Sequence, residues 1–374
     1  MGRVKARRKK AQVAVTVSPR ILSVGAARPP YLWQQDTLTR IAKENLLGPD
    51  WEDDTTRAED ARRIERLFSS SRVRQRHSVV DYETYYAQPR STGERMAAYA
   101  QLAYPLAREA VEKTLAEYDR LAQSITDFVV ISCTGYAAPG LDITLARDLN
   151  MPRDVRRIVI GHMGCYGAMV GLRQALSSLR AYPGSTMLML SVELCSLHFT
   201  PTLDPEALTG FALFADGAAG VLLTSEEHAT GPQLVESYCA ADFGAANQMS
   251  WTITDAGFFM GLSPRVPVTL RRNIAGVMDN LLTPRGLGVA DITHWLVHPG
   301  GPSIVEAVQQ KLELSDEQVA LSWEILAEHG NCSSTTVLLM LERLLREGRA
   351  KSGEWGVMMA FGPGLTLETC LLQF

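Results

Sequence analysis

Three reactive side chains sit at glycine-flanked turns: Cys165 in GHMGCYGAM, His298 in VHPGGPS and Asn331 in GNCSS. A thiol, an imidazole and a carboxamide are the parts needed to hold an acyl group on sulfur and run carbanion chemistry on it. A cysteine where a strand meets a helix faces unpaired backbone N–H groups and the positive end of the helix dipole, which favours thiolate. An imidazole and an amide near it polarise a thioester carbonyl. The mechanism these three parts imply starts with Cys165 attacking an acyl thioester. A malonyl thioester then loses CO2 while His298 and Asn331 stabilise the enolate, and the carbanion attacks the parked acyl group. Decarboxylation makes the nucleophile, so no separate base is required. Each residue also has a plain structural reading: a buried free thiol, a lone core histidine, a helix N-cap.

The elements that must carry these residues alternate between strand and helix, which argues for an α/β architecture. AVTVSPRILSVG reads as the opening strand, residues 53–70 as a charged helix, and GERMAAYAQLAYPLAREAVEKTLAEY as a long amphipathic helix. Its apolar face is expected through Met96, Tyr99, Leu102, Leu106 and Ala110. SITDFVVISC is a buried strand, RRIVI a strand running into the Cys165 helix, STMLMLSVEL another strand, and GFALFADGAAGVLLTS feeds a further one. HWLVH is a strand ending at His298, Pro302 is suited to start a helix, and Ser315 with Gln318 forms a capping box. Asn331 is expected to begin the helix through LERLLREG, and the C-terminus reads as two strands around Gly-Pro-Gly. A strand, a reactive turn and a helix recur in both halves.

The chain has 374 residues, 46% hydrophobic and 21% charged, with net charge −4, which suits two core-forming units and argues against nucleic-acid binding. MGRVKARRKK carries six Lys/Arg and reads as a solvated basic tail, or as a weak attraction to acidic surfaces. No secretory signal and no bilayer-length apolar run follows it. The six cysteines form no C-x-x-C pair and no zinc spacing, so no metal is expected and a reducing cytoplasm is. The expected organisation is a basic tail at 1–14, an N-terminal lobe at 15–228 carrying the cysteine and a C-terminal lobe at 229–374 carrying His298 and Asn331.

GHMGCYGAM, LFADGAAG, VHPGGPS, GNCSS and above all FGPGLTLET resemble the type III polyketide synthases, the chalcone synthase-like family, over nearly the whole chain after about residue 15. The resemblance implies a thiolase-like, five-layered αβαβα fold with two similar lobes and a homodimer. It also implies acyl-CoA and malonyl-CoA as substrates, with no further cofactor. It assigns Cys165, His298 and Asn331 as the catalytic triad. Phe214 falls on the family's gatekeeper, and Met260 stands where the second gatekeeper is aromatic. Arg63 and Arg66 match positions that meet CoA phosphates, Ser70 replaces a third basic residue, and Gly300, Gly301 and Ser303 match the stretch along the pantetheine arm. Cys133, Thr134, Cys195, Leu197, His198, Gly210, Trp251 and Ser333 fall on pocket positions.

Trp251 replaces a glycine of the plant enzymes and should shorten the starter side of the pocket. Cys133 resembles bacterial members that build naphthalene or phloroglucinol products. Ala138 stands where plant enzymes send a methionine across the dimer interface. The implied activity is iterative extension of an acyl starter with malonyl-CoA and cyclisation to a pyrone, resorcinol or related aromatic. The alternatives are a malonyl-primed tetrahydroxynaphthalene or phloroglucinol-type synthase, a single-step ketoacyl-carrier-protein synthase, and a non-catalytic acyl-binding dimer.

Overall fold

The computed structural model describes residues 18–48, 55–118 and 122–374; the basic tail at 1–14 lies outside them. In the N-terminal half the order is β1 (Arg20–Ala27), β2 (Tyr31–Gln34), α1 (Gln35–Leu47), α2 (Thr55–Ser70), β3 (Gln75–Ser78), α3 (Tyr82–Tyr85) and α4 (Thr92–Ala116). It continues with β4 (Asp127–Ser132), α5 (Leu141–Asp148), β5 (Arg156–Gly161), α6 (Gly167–Ala181), β6 (Thr186–Leu194), α7 (Pro205–Leu213) and β7 (Asp216–Thr224). The C-terminal half runs β8 (Gln233–Ala241), β9 (Met249–Thr254), β10 (Gly257–Leu262), α8 (Val266–Leu282) and β11 (Ile292–Val297). Then follow α9 (Pro302–Leu312), α10 (Asp316–His329), α11 (Thr336–Arg346), β12 (Trp355–Gly362) and β13 (Thr366–Gln373).

Nine strands form one sheet in the order β11-β12-β13-β8-β1-β7-β6-β4-β5. Five belong to the first half and four to the second, and β1 meets β8 through the single register pair Arg20↔Gln233. The lobes are thus fused edge to edge. In each half a parallel pair (β4 with β6, β11 with β12) is followed by two antiparallel pairings. The chain therefore repeats one plan, and the strands β4, β6 and β7, buried at every position, read as continuous apolar runs because both of their faces are covered.

The layering follows from which helix covers which face. Helices α6 and α11 pack together with strands of both halves in the central core. Helices α4 and α5 cover the outer face of the N-terminal strands, and α8 and α9 the outer face of the C-terminal strands. Gly171 lets α6 approach β6, since a Cβ there would lie 2.6 Å from Met189 Sδ.

Two local expectations change. The buried stripe of α4 passes through Arg95, Tyr99, Ala103, Leu106, Ala107 and Ala110, leaving Met96 and Leu102 half-buried. Arg95 is turned inward because its guanidinium satisfies the carbonyls of Leu197 and Phe199. Asn331 does not begin a helix: it forms a parallel bridge with Phe214, and α11 starts at Thr336 after a short 3-10 turn.

Candidate active site

Cys165 follows β5 on a tight turn in which His162 and Gly164 both have left-handed backbone, φ +57° and +68°. A Cβ at position 164 would sit 2.5 Å from Pro363 Cδ, so only glycine fits between the turn and the Gly-Pro-Gly loop. The Gly164 N–H donates to Cys133 Sγ at 3.0 Å, which pins the turn from below. Cys165 lies in a 3-10 turn just before α6 and is buried.

The sequence expectation of a resting thiolate is not met. Burial pushes the Cys165 thiol up to about 12, and the hydrogen bonds from Ser333 and Asn331 that favour ionisation do not offset it. His298 is neutral as well, pushed down to about 3 by burial. Neither of its ring nitrogens has a hydrogen-bond partner among the described residues. A buried, unpartnered N–H is costly and is left available to a ligand.

Each triad member is held by backbone contacts. The His298 N–H donates to Met359 O at 2.9 Å, and Gly300 N–H donates back to His298 O at 2.9 Å, so β11 ends in a sharp bend. Asn331 Oδ1 accepts from Ser333 N at 2.8 Å and Nδ2 donates to Gly300 O at 3.3 Å, which fixes the carboxamide. Its two terminal atoms lie 3.9 and 4.0 Å from Cys165 Sγ. The second half thus delivers imidazole and amide to the thiol of the first.

All three line one cavity of about 490 Å³, with Phe214, Met260, Gly300, Gly301, Ser303 and Phe361 among its other walls. Phe214 and Met260 also line a second space of about 40 Å³ with Cys195, His198, Gly210 and Trp251. They therefore stand between the two, where the sequence set a gate. This inner space is narrow because aromatic rings fill it. His198 stacks on Phe258 at 4.3 Å, and Trp251 Nε1 donates to Cys133 O at 3.1 Å.

Other expected residues fall elsewhere. Cys133, Thr134, Leu197 and Ser333 line neither cavity. Thr134 Oγ1 donates to Glu193 and accepts from Leu194 N, Leu197 is in the outer core, and Ser333 holds Asn331. Arg66 lines a surface depression with Arg62 and Arg74, while Arg63 is half-buried on α2; neither reaches the triad cavity. No group of three or more metal-ligating side chains occurs among the described residues.

Of the buried charged side chains that escaped the sequence reading, three adjoin the site. Glu193 accepts from Cys133 N, Thr134 Oγ1 and Ser334 Oγ, with its carboxyl pushed up by burial. Asp216 accepts from Val79 N, Ser196 N and Ser196 Oγ, and burial pushes it up to about 6. Arg76, fully buried on β3, donates to the carbonyl of Phe214 and faces the rings of Phe199 and Phe211 at 5.9 and 5.8 Å. No local pattern announces them.

Comparison with known proteins completes the description. Residues 5–227 match the N-terminal domain of chalcone and stilbene synthases and residues 239–374 the C-terminal domain. A 1,3,6,8-tetrahydroxynaphthalene synthase of Streptomyces peucetius subsp. caesius is 34% identical over 358 residues, covering 95% of this chain and 93% of that protein. The "Alpha-pyrone synthesis polyketide synthase-like Pks18" of Mycobacterium tuberculosis is 31% identical over 351 residues, 91% of this chain and 87% of that one. Among solved structures, PKS-I from the brown alga Ectocarpus siliculosus superposes with a TM-score of 0.88 at 29% identity, covering 97% and 100% of the two chains. The 1,3,6,8-tetrahydroxynaphthalene synthase of Streptomyces coelicolor A3(2) gives 0.87 at 26%, covering 95% and 99%.

Proposed function

The chain belongs to the chalcone and stilbene synthase family and is a type III polyketide synthase, an acyl-condensing transferase, and from that premise we propose that Cys165 carries the acyl chain while His298 and Asn331 act on a malonyl extender. The observation that carries this reading is the meeting of all three in one cavity. Cys165 gives its proton to His298 as sulfur attacks the acyl-CoA carbonyl; the thioester bond breaks and CoA leaves with the proton. Malonyl-CoA then loses CO2, and the enolate oxygen accepts from the ring of His298 and from Asn331 Nδ2. The carbanion attacks the acyl carbonyl and the Cys165 sulfur departs. CoA thioesters are substrates here, and the reading asks for no other cofactor.

The small inner space favours a short starter, malonyl-derived units included, over a long fatty chain. Rings of His198 and Trp251 donate to the carbonyls of Thr134 and Cys133 and so close the direction in which a long-chain tunnel would run. We also read the chain as a cytoplasmic homodimer. The edge strand β5 leaves Ile158 and Val159 partly exposed beside an exposed Tyr136 and fits a second copy. Mass spectrometry of products from a panel of acyl-CoAs with malonyl-CoA tests the starter. Several extensions and a cyclised product support the reading; a single extension from a carrier-protein substrate refutes it.

A further inference from the structure

We propose that Glu206 is a specificity-determining residue whose carboxylate latches α7 to β10 and so sets the opening between Phe214 and Met260. The inference rests on the reading of those two side chains as a gate. They come from different elements: Phe214 ends α7 and Met260 lies on β10. Phe214 is fixed through its backbone, by Arg76 and by the bridge to Asn331. Among the described residues, Met260 is paired only across the hairpin, opposite Trp251 on β9.

Among the described residues, strand β10 pairs only with β9, and its other edge is pinned at two points by side chains. Phe258 N–H donates to His198 Nδ1 at 3.2 Å, and Leu262 N–H donates to Glu206 Oε2 at 2.9 Å. The pins fall two residues before and two after Met260. Among the described residues, the Glu206 bond is the one hydrogen bond that joins α7 to β10. Capping does not account for Glu206, because Asp204 already accepts from the Glu206 and Ala207 N–H groups at the start of the helix. Glu206 lines both the triad cavity and the inner space, so its link spans the opening itself. Gly261 makes room, since a Cβ there would lie 3.5 Å from Glu206 Oε2 and 2.5 Å from Ser250 Oγ.

The test separates reach from charge. Glu206→Gln keeps an oxygen at the same reach without the charge; Glu206→Asp keeps the charge and shortens the reach; Glu206→Ala removes both. The readout is the ratio of kcat/KM for octanoyl-CoA over acetyl-CoA within each variant, so that any loss of folded enzyme cancels. Loss of one hydrogen bond should raise that ratio about three- to tenfold in the Ala and Asp variants. The Gln variant should stay within about twofold of wild type, since its acceptor is retained. An unmoved ratio in Ala and Asp, or a Gln variant shifted as far as Ala, overturns the latch. Intact-mass detection of acyl-Cys165 is run alongside. An unacylated wild type refutes the underlying mechanism, whereas acylated variants with an unmoved ratio refute the latch alone.

Discussion

Asn331 and Phe214 are joined through the backbone: Asn331 N–H donates to Leu213 O at 2.8 Å, and Ala215 N–H donates to Asn331 O at 2.9 Å. The carboxamide that touches the thiol and the ring that narrows the cavity therefore move as one unit. Arg76 fastens the same unit from the other side through the Phe214 carbonyl.

Removing the unpartnered ring of His298 should act on decarboxylation. In His298→Gln, CO2 release from malonyl-CoA should fall by about 10²–10³, the usual cost of losing one oxyanion donor. Acyl loading, followed by intact mass, should fall as well, because His298 takes the Cys165 proton in that step. Equal rates of CO2 release in variant and wild type would take His298 out of this role.

The resting thiol makes a prediction about pH. With Cys165 pushed up to about 12 and His298 down to about 3, both groups rest neutral, and the thiolate fraction at pH 7 is on the order of 10⁻⁵. Alkylation of Cys165 by iodoacetamide in His298→Gln should therefore climb about tenfold per pH unit from 7 to 9. A flat profile in the variant would mean that sulfur ionises without the imidazole.

Trp251→Gly removes the indole that donates to Cys133 O and fills the inner space. Longer or bulkier acyl-CoA starters should then appear in the product mass spectrum, with some loss of Tm from the cavity created. A starter profile identical to wild type would separate Trp251 from chain-length control.

His198 links folding to acidity. Its Nε2 pairs with Thr134 O at 2.6 Å and its Nδ1 accepts from Phe258 N, so only the neutral ring fits. Burial lowers it to about 4 from an ordinary 6.5. The unfolded chain therefore binds the proton first, and stability present above pH 6.5 is lost as pH falls toward 4, by on the order of 3 kcal/mol for this group. His298 and His329, each lowered to about 3 chiefly by burial, act with the same sign. Tm measured from pH 7 to pH 5 should drop in wild type and drop less steeply in His198→Asn. Parallel slopes would contradict the assignment.

The turns at Cys165, His298 and Asn331 were legible because glycine marks each of them, and the strands and helices because their apolar periods are regular. Arg76 was not, since the segment QRHS reads as a wet strand until Phe214, far along the sequence, supplies its acceptor. Nor was the protonation of Cys165, whose thiol is pushed up chiefly by burial that a local motif does not display. Leu197 and Thr134 showed the same limit. Position in a motif placed them near the pocket, but Arg95 holds the Leu197 backbone carbonyl and Glu193 the Thr134 hydroxyl.

The two helices at the molecule's centre, α6 and α11, each begin just after a reactive residue and bury their flanks in one shared core. Assembling the hydrophobic middle and bringing sulfur within reach of the amide are consequently a single event. Neither half owns a working fragment of the chemistry, and a substitution in the shared core bears on the thiol and the amide together.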